Sequence, residues 1–293
     1  MNYKGLEINE TAEGIEIQGV HDFDLVHIFD CGQCFRWLKQ KDGSYLGVVG
    51  SKAVRVSFYN EKLFISGSTY DDFVNLWYEY FDLGTDYSKI KKALCKDEIM
   101  AKAVEFGHGI RLLRQDIWEL LISFIISANN RIPRIMKSVE TLSKTFGNEI
   151  SSSEGVFYSF PKPEDLSSCS MDKIELCKAG FRCKYISETS DMIRKKAVDL
   201  GSLSDMDTAH ARKELIKLSG VGAKVADCVL LFSATKFDVF PTDVWIKKIM
   251  EILYFKREAT LKEIDIFSKD YFGDLSGYAQ QYLFFYARET KIS

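Results

Sequence analysis

Proline, histidine and long apolar runs are all scarce in this chain of 293 residues. With four prolines, 46% hydrophobic content and no low-complexity tract, it has the makings of packed cores rather than of a long disordered tail. The most apolar run, Ile117 to Ala128, contains Glu119 and falls short of the roughly 20 residues that cross a bilayer. It reads as a buried helix, and no membrane association is expected. The opening Met1-Asn2-Tyr3-Lys4-Gly5-Leu6-Glu7 lacks a basic flank and an apolar core, which predicts no secretory leader and a cytoplasmic location. An excess of basic residues is missing too. The net charge of -3 argues against a protein that coats DNA nonspecifically, since such proteins are usually basic overall, but not against a local groove. Arg111, Arg114, Arg131, Arg134, Lys137, Lys178, Arg182 and Lys184 crowd the middle of the chain and are candidates for one. Four scattered histidines and a single Cys31-x-x-Cys34 pair give no zinc spacing, so two reduced thiols are expected there.

What is present divides by period. Alternating runs fill residues 6 to 67: Ile15-Glu16-Ile17, Tyr45 to Val49, Ala53 to Phe58 and Leu63 to Ser66. Turn-like Gly50-Ser51 and Asn60-Glu61-Lys62 separate the later ones. From about 70 onward helical spacing takes over, strongest near 70–82, 86–106, 115–128, 133–147, 183–197, 208–218, 223–233, 242–254 and 275–289. The expected fold is α+β: an antiparallel sheet domain over 1–105, then a mostly helical, two-lobed region over 106–293.

The most telling stretch is Leu218-Ser219-Gly220-Val221-Gly222-Ala223-Lys224-Val225-Ala226-Asp227-Cys228, followed by Pro241-Thr242-Asp243. Gly220 and Gly222 read as a tight turn between two helices, a helix-hairpin-helix spanning about 208–233. The first amides of the second helix point outward there and suit a phosphate. Lys224 stands in the first turn of that helix, where the macrodipole disfavours a cation. A solvated lysine or phosphate contact would be the ordinary reading. Lys224 and Cys228 share one face at i, i+4 spacing. Asp227 is a rival carboxylate, read as tying the hairpin together from mid-helix, and Asp238 is a loop acid without a task.

These residues resemble the helix-hairpin-helix DNA glycosylases with a Gly/Pro-rich loop and following Asp, and among them the 8-oxoguanine DNA glycosylase/AP lyases of the Ogg type. The resemblance extends through Cys31-Gly32-Gln33-Cys34-Phe35-Arg36-Trp37, Gly109 to Asp116, Ser127-Ala128-Asn129-Asn130, Gly180-Phe181-Arg182 and Gly277-Tyr278-Ala279-Gln280. It implies Lys224 as the amine that attacks the sugar and forms a Schiff base, and Asp243 as the carboxylate that stabilises the transition state. The family also implies a base pocket of Gly32, Cys228, Gln280 and Phe284, with Phe285 the substitute if register slips. It assigns Asn129, Arg134 and Arg182 to the base opposite the lesion, and Phe181 to the vacated stack. Gly220 and Gly222 grip the phosphate. A structural cation can sit on the carbonyls of Ile216, Leu218 and Val221. No further cofactor is required, and with no cysteine after Cys228 an iron-sulfur cluster is not expected. The implied partner is double-stranded DNA containing 8-oxoguanine, met by a monomer.

Two positions depart from the animal members of that family. Phe181 replaces a tyrosine, which relaxes the expected selection of cytosine opposite the lesion, and Trp245 replaces a histidine two residues after the catalytic Asp. Base excision itself demands extrusion of the nucleotide into a pocket that reads it. Two other readings stand beside it: a monofunctional alkyl-base glycosylase, for which Lys224 would be unexpected, and a noncatalytic helix-hairpin-helix DNA-binding protein, which needs neither Lys224 nor Asp243.

Overall fold

A computed structural model describes residues 1–292. Seven antiparallel strands form one sheet: β1 (Asn2–Tyr3), β2 (Leu6–Thr11), β3 (Gly14–Gln18), β4 (Trp37–Lys39), β5 (Tyr45–Val49), β6 (Lys52–Tyr59) and β7 (Lys62–Ser66), in the order β1-β2-β3-β7-β6-β5-β4. Alternation decides which face is inward. Ile15, Ile17, Val54, Val56, Leu63 and Ile65 are buried against Trp77 and Phe81, while their neighbours Glu16 and Lys62 pair on the outside at 3.1 Å. Asn60 and Glu61 both take positive φ, +50° and +58°, and so turn β6 into β7 in two residues.

Beyond the sheet the chain is helical, and the differences from periodicity have local causes. The single helix expected over 86–106 is two, Tyr87–Leu94 and Glu98–Phe106, because Asp97 takes an extended conformation and caps the second by accepting the Met100 amide at 2.8 Å. The segment expected from 242 starts as a helix at Val244, after Asp243 has served as its cap. A helix over Leu261–Phe272 was not expected, although Thr260 and Glu263 form the capping box that announces it. The hairpin Glu149–Ser152 with Gly155–Tyr158 was also missed. Its turn residue Glu154 accepts from Arg55 of β6 through two bonds, at 2.9 and 2.6 Å.

The sheet core and the helical core exchange residues. Leu113 packs among the sheet residues, and Cys31 and Phe35 belong to the helical core. Arg111, expected in a DNA groove, is instead buried. Its guanidinium donates to the carbonyls of His21, Asp22 and Asp82 at 2.8, 3.0 and 2.7 Å and lies over the Tyr87 ring. Arg114 pairs with Asp82 at 2.8 Å. Both cations are spent joining the sheet to the helices, which corrects their placement among the DNA contacts.

The second hairpin helix, Ala223–Phe232, is buried continuously from Val225 onward. It packs on Ile117–Ser127, on the first hairpin helix Thr208–Ile216 and against the start of the last helix, Ser276–Glu289. Gly277 permits that last approach: a Cβ there would stand 2.2 Å from Leu231 Cδ1 and 2.9 Å from the Phe237 carbonyl. Gly277→Ala should therefore cost about 1–3 kcal/mol in urea unfolding, whereas an unchanged midpoint would mean that this contact gives way freely.

Within the hairpin, Arg212 Nε donates to Asp227 Oδ1 at 2.5 Å. Burial pushes the Asp227 carboxyl up to about 6, against the opposing pull of Arg212. The folded chain then holds this proton more tightly than the unfolded chain, whose aspartates titrate near pH 4. That contribution to stability is present below about pH 4 and is lost as pH rises through about 6. Stability of the chain relative to Asp227→Asn should thus fall between pH 4 and pH 6; unfolding curves that differ by a constant across this window would remove Asp227 from the pH dependence.

Candidate active site

The N-terminal turn of the buried helix places Lys224 at the one end that reaches solvent, half-buried, with its Nζ 5.2 Å from the centre of the Phe124 ring. One turn on, Cys228 is 3% exposed. Burial pushes its thiol up to about 11, while the adjacent Lys224 amine pulls the other way. A neutral thiol is a soft contact surface and no competitor for the amine as nucleophile. Asp243 reaches the same space from the opposite side. As the cap of Val244–Met250 it accepts the Ile246 amide at 2.8 Å through Oδ1, and among the described residues Oδ2 has no hydrogen-bond partner.

Lys224, Cys228 and Asp243 line a cavity of about 60 Å³ together with Gly32, Gln280 and Phe284. All six residues assigned to catalysis and the base pocket are thus side by side, drawn from three distant parts of the chain. Gln280 is 6% exposed, and its Oε1 is buried without a partner. An orphaned amide oxygen at a cavity wall is costly unless something arrives to donate to it. Phe284, not Phe285, reaches this space: Phe285 is 3% exposed and packs on His27 and Phe106. The Phe284 ring edge stands over Gly32, 3.3 Å from where a Cβ would be, and Gly32 itself has φ +85°. At about 60 Å³ the cavity has room for a few waters and is smaller than a purine base.

Two polar side chains that sequence reasoning left without a role hold the Gly32 turn. Gln281, 1% exposed, donates to the Cys31 carbonyl at 2.8 Å across 250 residues of sequence. Gln33, fully buried, donates to the Ile28 and Arg111 carbonyls at 2.8 Å each and accepts the Leu113 amide at 2.9 Å. Gln33 lies inside the motif quoted above, but only its partners show its work. The Cys31 and Cys34 thiols donate to the Ile28 and Phe29 carbonyls; all seven cysteines are free. One trio, Asp24, His27 and His108, brings metal-ligating atoms within 4.8 Å of one another. Two of its acceptor atoms are engaged in the fold: His27 Nδ1 accepts the Gly109 amide at 3.2 Å and Asp24 Oδ1 accepts the His27 amide at 3.0 Å.

The remaining predicted residues form a rim. Phe181 is 63% exposed, and Asn129, with φ +49°, and Arg134 are exposed beside it. Arg182 differs from its expected free posture. It is 8% exposed, and its guanidinium donates to the carbonyls of Ala128, Ala179 and Asn129, at 2.8, 3.1 and 2.9 Å respectively. In this geometry it fixes the Asn129 turn. Gly220, with φ +77°, lies against Tyr185, where a Cβ would meet the ring at 2.7 Å. Gly222 begins the Lys224 helix with open space in front of it. Asp227 faces Arg212 and Asp238 accepts from Thr208 at 2.6 Å, so neither rival acid lines the cavity.

Comparison with known proteins places the chain in a family. Residues 17–121 match the profile of the 8-oxoguanine DNA glycosylase N-terminal domain, and residues 122–271 that of the HhH-GPD superfamily base excision DNA repair proteins. The probable N-glycosylase/DNA lyase of Methanothermobacter thermautotrophicus is 33% identical over 72% of this chain and 74% of its own. Among solved structures, MBOgg1 in complex with a low-affinity DNA ligand is 46% identical, covering 98% of this chain and 99% of its own, with TM-score 0.95. The Clostridium acetobutylicum 8-oxoguanine glycosylase/lyase, in complex with double-stranded DNA containing cytosine opposite 8-oxoguanine, is 44% identical over 97% of this chain and 98% of its own, with TM-score 0.94. The chain belongs to the HhH-GPD superfamily of base excision DNA repair proteins, in the branch that carries the 8-oxoguanine DNA glycosylase N-terminal domain.

Proposed function

We propose that this protein is a bifunctional DNA repair enzyme that extrudes 8-oxoguanine from double-stranded DNA, excises it and then cleaves the strand. The observation that carries the reading is the single cavity shared by Lys224, Asp243, Cys228, Gln280, Phe284 and Gly32. Once its ammonium has given up a proton, Lys224 attacks C1′ through the nitrogen lone pair as the C1′–N9 bond breaks, and the base leaves with that electron pair and takes up a proton. The unengaged Asp243 oxygen faces the positive charge that develops on the sugar. Loss of the amine proton and opening of the sugar ring give the Schiff base; removal of a C2′ proton then expels the 3′ phosphate. Cys228 and Phe284 would sandwich the base, Gln280 would read its Watson-Crick edge through the orphaned amide oxygen, and the Gly32 carbonyl would accept the N7–H that guanine lacks. The open amides behind Gly222 suit a DNA phosphate, and Phe181 fills the vacated stack.

The proposed enzyme works as a monomer in the cytoplasm, in association with DNA, where seven unpaired thiols stay reduced. It needs no cofactor. A structural cation at the carbonyls of Ile216, Leu218 and Val221 fits the end of the first hairpin helix, where the macrodipole is negative, although the Leu218 carbonyl already accepts the Val221 amide at 3.2 Å.

Borohydride trapping on a duplex containing 8-oxoguanine tests the reading directly. A covalent complex is expected from the unmodified chain and none from Lys224→Gln, which should still bind the duplex; release of base without a trapped complex would favour the monofunctional alternative. Asp243→Asn should slow single-turnover excision by roughly 10²–10⁴-fold, and near-normal excision would exclude Asp243 from the chemistry.

The wedge gives a further expectation. Phe181 lacks the hydroxyl of a tyrosine, and the hydrogen bonds left to the opposite base are worth roughly 0.5–3 kcal/mol each, the upper end for charged donors. Preference for cytosine should therefore be moderate, should narrow in Phe181→Tyr and should fall in Arg182→Ala, which releases the Asn129 turn that the guanidinium holds. Single-turnover rates with A, C, G or T opposite the lesion decide it, and a strict cytosine requirement in the unmodified chain would sink the idea.

A further inference from the structure

A second, larger cavity of about 460 Å³ lies behind the catalytic one, between β4–β5, the helix Ile132–Phe146 and the hairpin strand Gly155–Tyr158. Its volume is within the range of small-molecule sites, about 300–1,000 Å³. The two cavities share a wall. Phe35 lines the larger one and meets Phe124 edge to face at 5.4 Å, and Phe124 lines the smaller.

The lining has a definite chemistry. Most of it is apolar, with Leu46, Val48, Met136 and Phe157 offering a greasy channel. Of its charged groups, Arg36 is occupied by Glu119 at 3.3 Å and by the Tyr158 carbonyl, and Lys137 by Glu140 at 2.9 Å. That leaves one cation, the exposed Lys144, with no ion-pair or hydrogen-bond partner among the described residues. Next to it in sequence, Ser143 also lines the cavity; it is 3% exposed, and its Oγ is buried without a partner. A serine inside a helix usually satisfies its hydroxyl by bonding back to the preceding turn. Here the donor is left over in the wall of a largely apolar cavity, next in sequence to a spare positive charge that lines the same cavity. A carboxylate would satisfy both.

We propose that this cavity binds a small apolar carboxylate, its alkyl or aryl body along Val48 and Met136 and its head group on Ser143 Oγ and Lys144 Nζ. The inference is independent of the catalytic reading, because binding is measured without DNA. Sodium octanoate is a suitable probe for the full chain, followed by calorimetry and by the ¹³C-methyl resonance of Met136, with octanol and octylammonium as matched controls. Octanoate should bind more tightly than either control and shift the Met136 methyl. Lys144→Glu should weaken octanoate by roughly five- to tenfold and leave octanol unchanged. Val156→Trp, a replacement at an exposed position of the rim, should block all three ligands while thermal unfolding shows the fold intact. Octanoate binding no tighter than octanol, equal binding of octylammonium, or indifference to both substitutions would overturn the proposal.

Discussion

Burial of one short helix organises this protein. From Val225 to Phe232 every residue of the second hairpin helix is buried, so the helix has no solvent face and behaves as an axle around which other elements pack. Such burial fixes its axial position to within a side chain's tolerance, because close-packed interiors do not yield smoothly. Only its N-terminal end is open. Lys224 stands there, and Gly222 leaves the helix amides clear in front of it. The amine is therefore delivered to a surface by a rigid support, while the same helix end offers its partial positive charge to an anion.

The pocket around that amine depends on buried polar bonds between segments far apart in sequence. Gln281 holds the Cys31 carbonyl, Gln33 holds the backbone on both sides of the interdomain segment, and Arg111 ties three carbonyls of the sheet domain. Each is satisfied on nearly all sides, which is the condition under which a buried polar network specifies geometry instead of weakening it. Against that background the Gln280 oxygen stands out, buried at the cavity without a partner. Phe284 stands over Gly32, so the cavity has an aromatic ring on one side and bare backbone beneath it.

Cations serve two different purposes. Arg111, Arg114 and Arg182 are consumed by carbonyls and carboxylates within the fold, while Arg134 stays exposed beside Phe181. A net charge of -3 is compatible with DNA binding on this account, because recognition relies on a few placed groups and a helix terminus and not on a broad positive field.

The sequence by itself determined the sheet-then-helix order, through periods of two and then near 3.6, and it exposed the hairpin because only glycine suits the turn at Gly220. Lys224 drew notice for a local reason, a cation set against the helix dipole, but that alone left a solvated lysine or phosphate contact as the ordinary reading, and only the resemblance made it the amine. The capping boxes and the Asp97 break were equally local, yet the latter two-helix boundary and the Leu261–Phe272 helix were read only from coordinates, since apolar spacing masks a cap. What the tertiary structure decided was every relation across distance: it brought Gly32, Lys224, Asp243 and Gln280, grouped beforehand only by the family resemblance, to one cavity, kept Phe284 and not its substitute Phe285 there, turned Arg111 inward and set Arg182 on a turn. Charge, period and turn chemistry are properties of neighbours along the chain, whereas a buried side chain's partner is chosen by packing between elements that the sequence does not juxtapose.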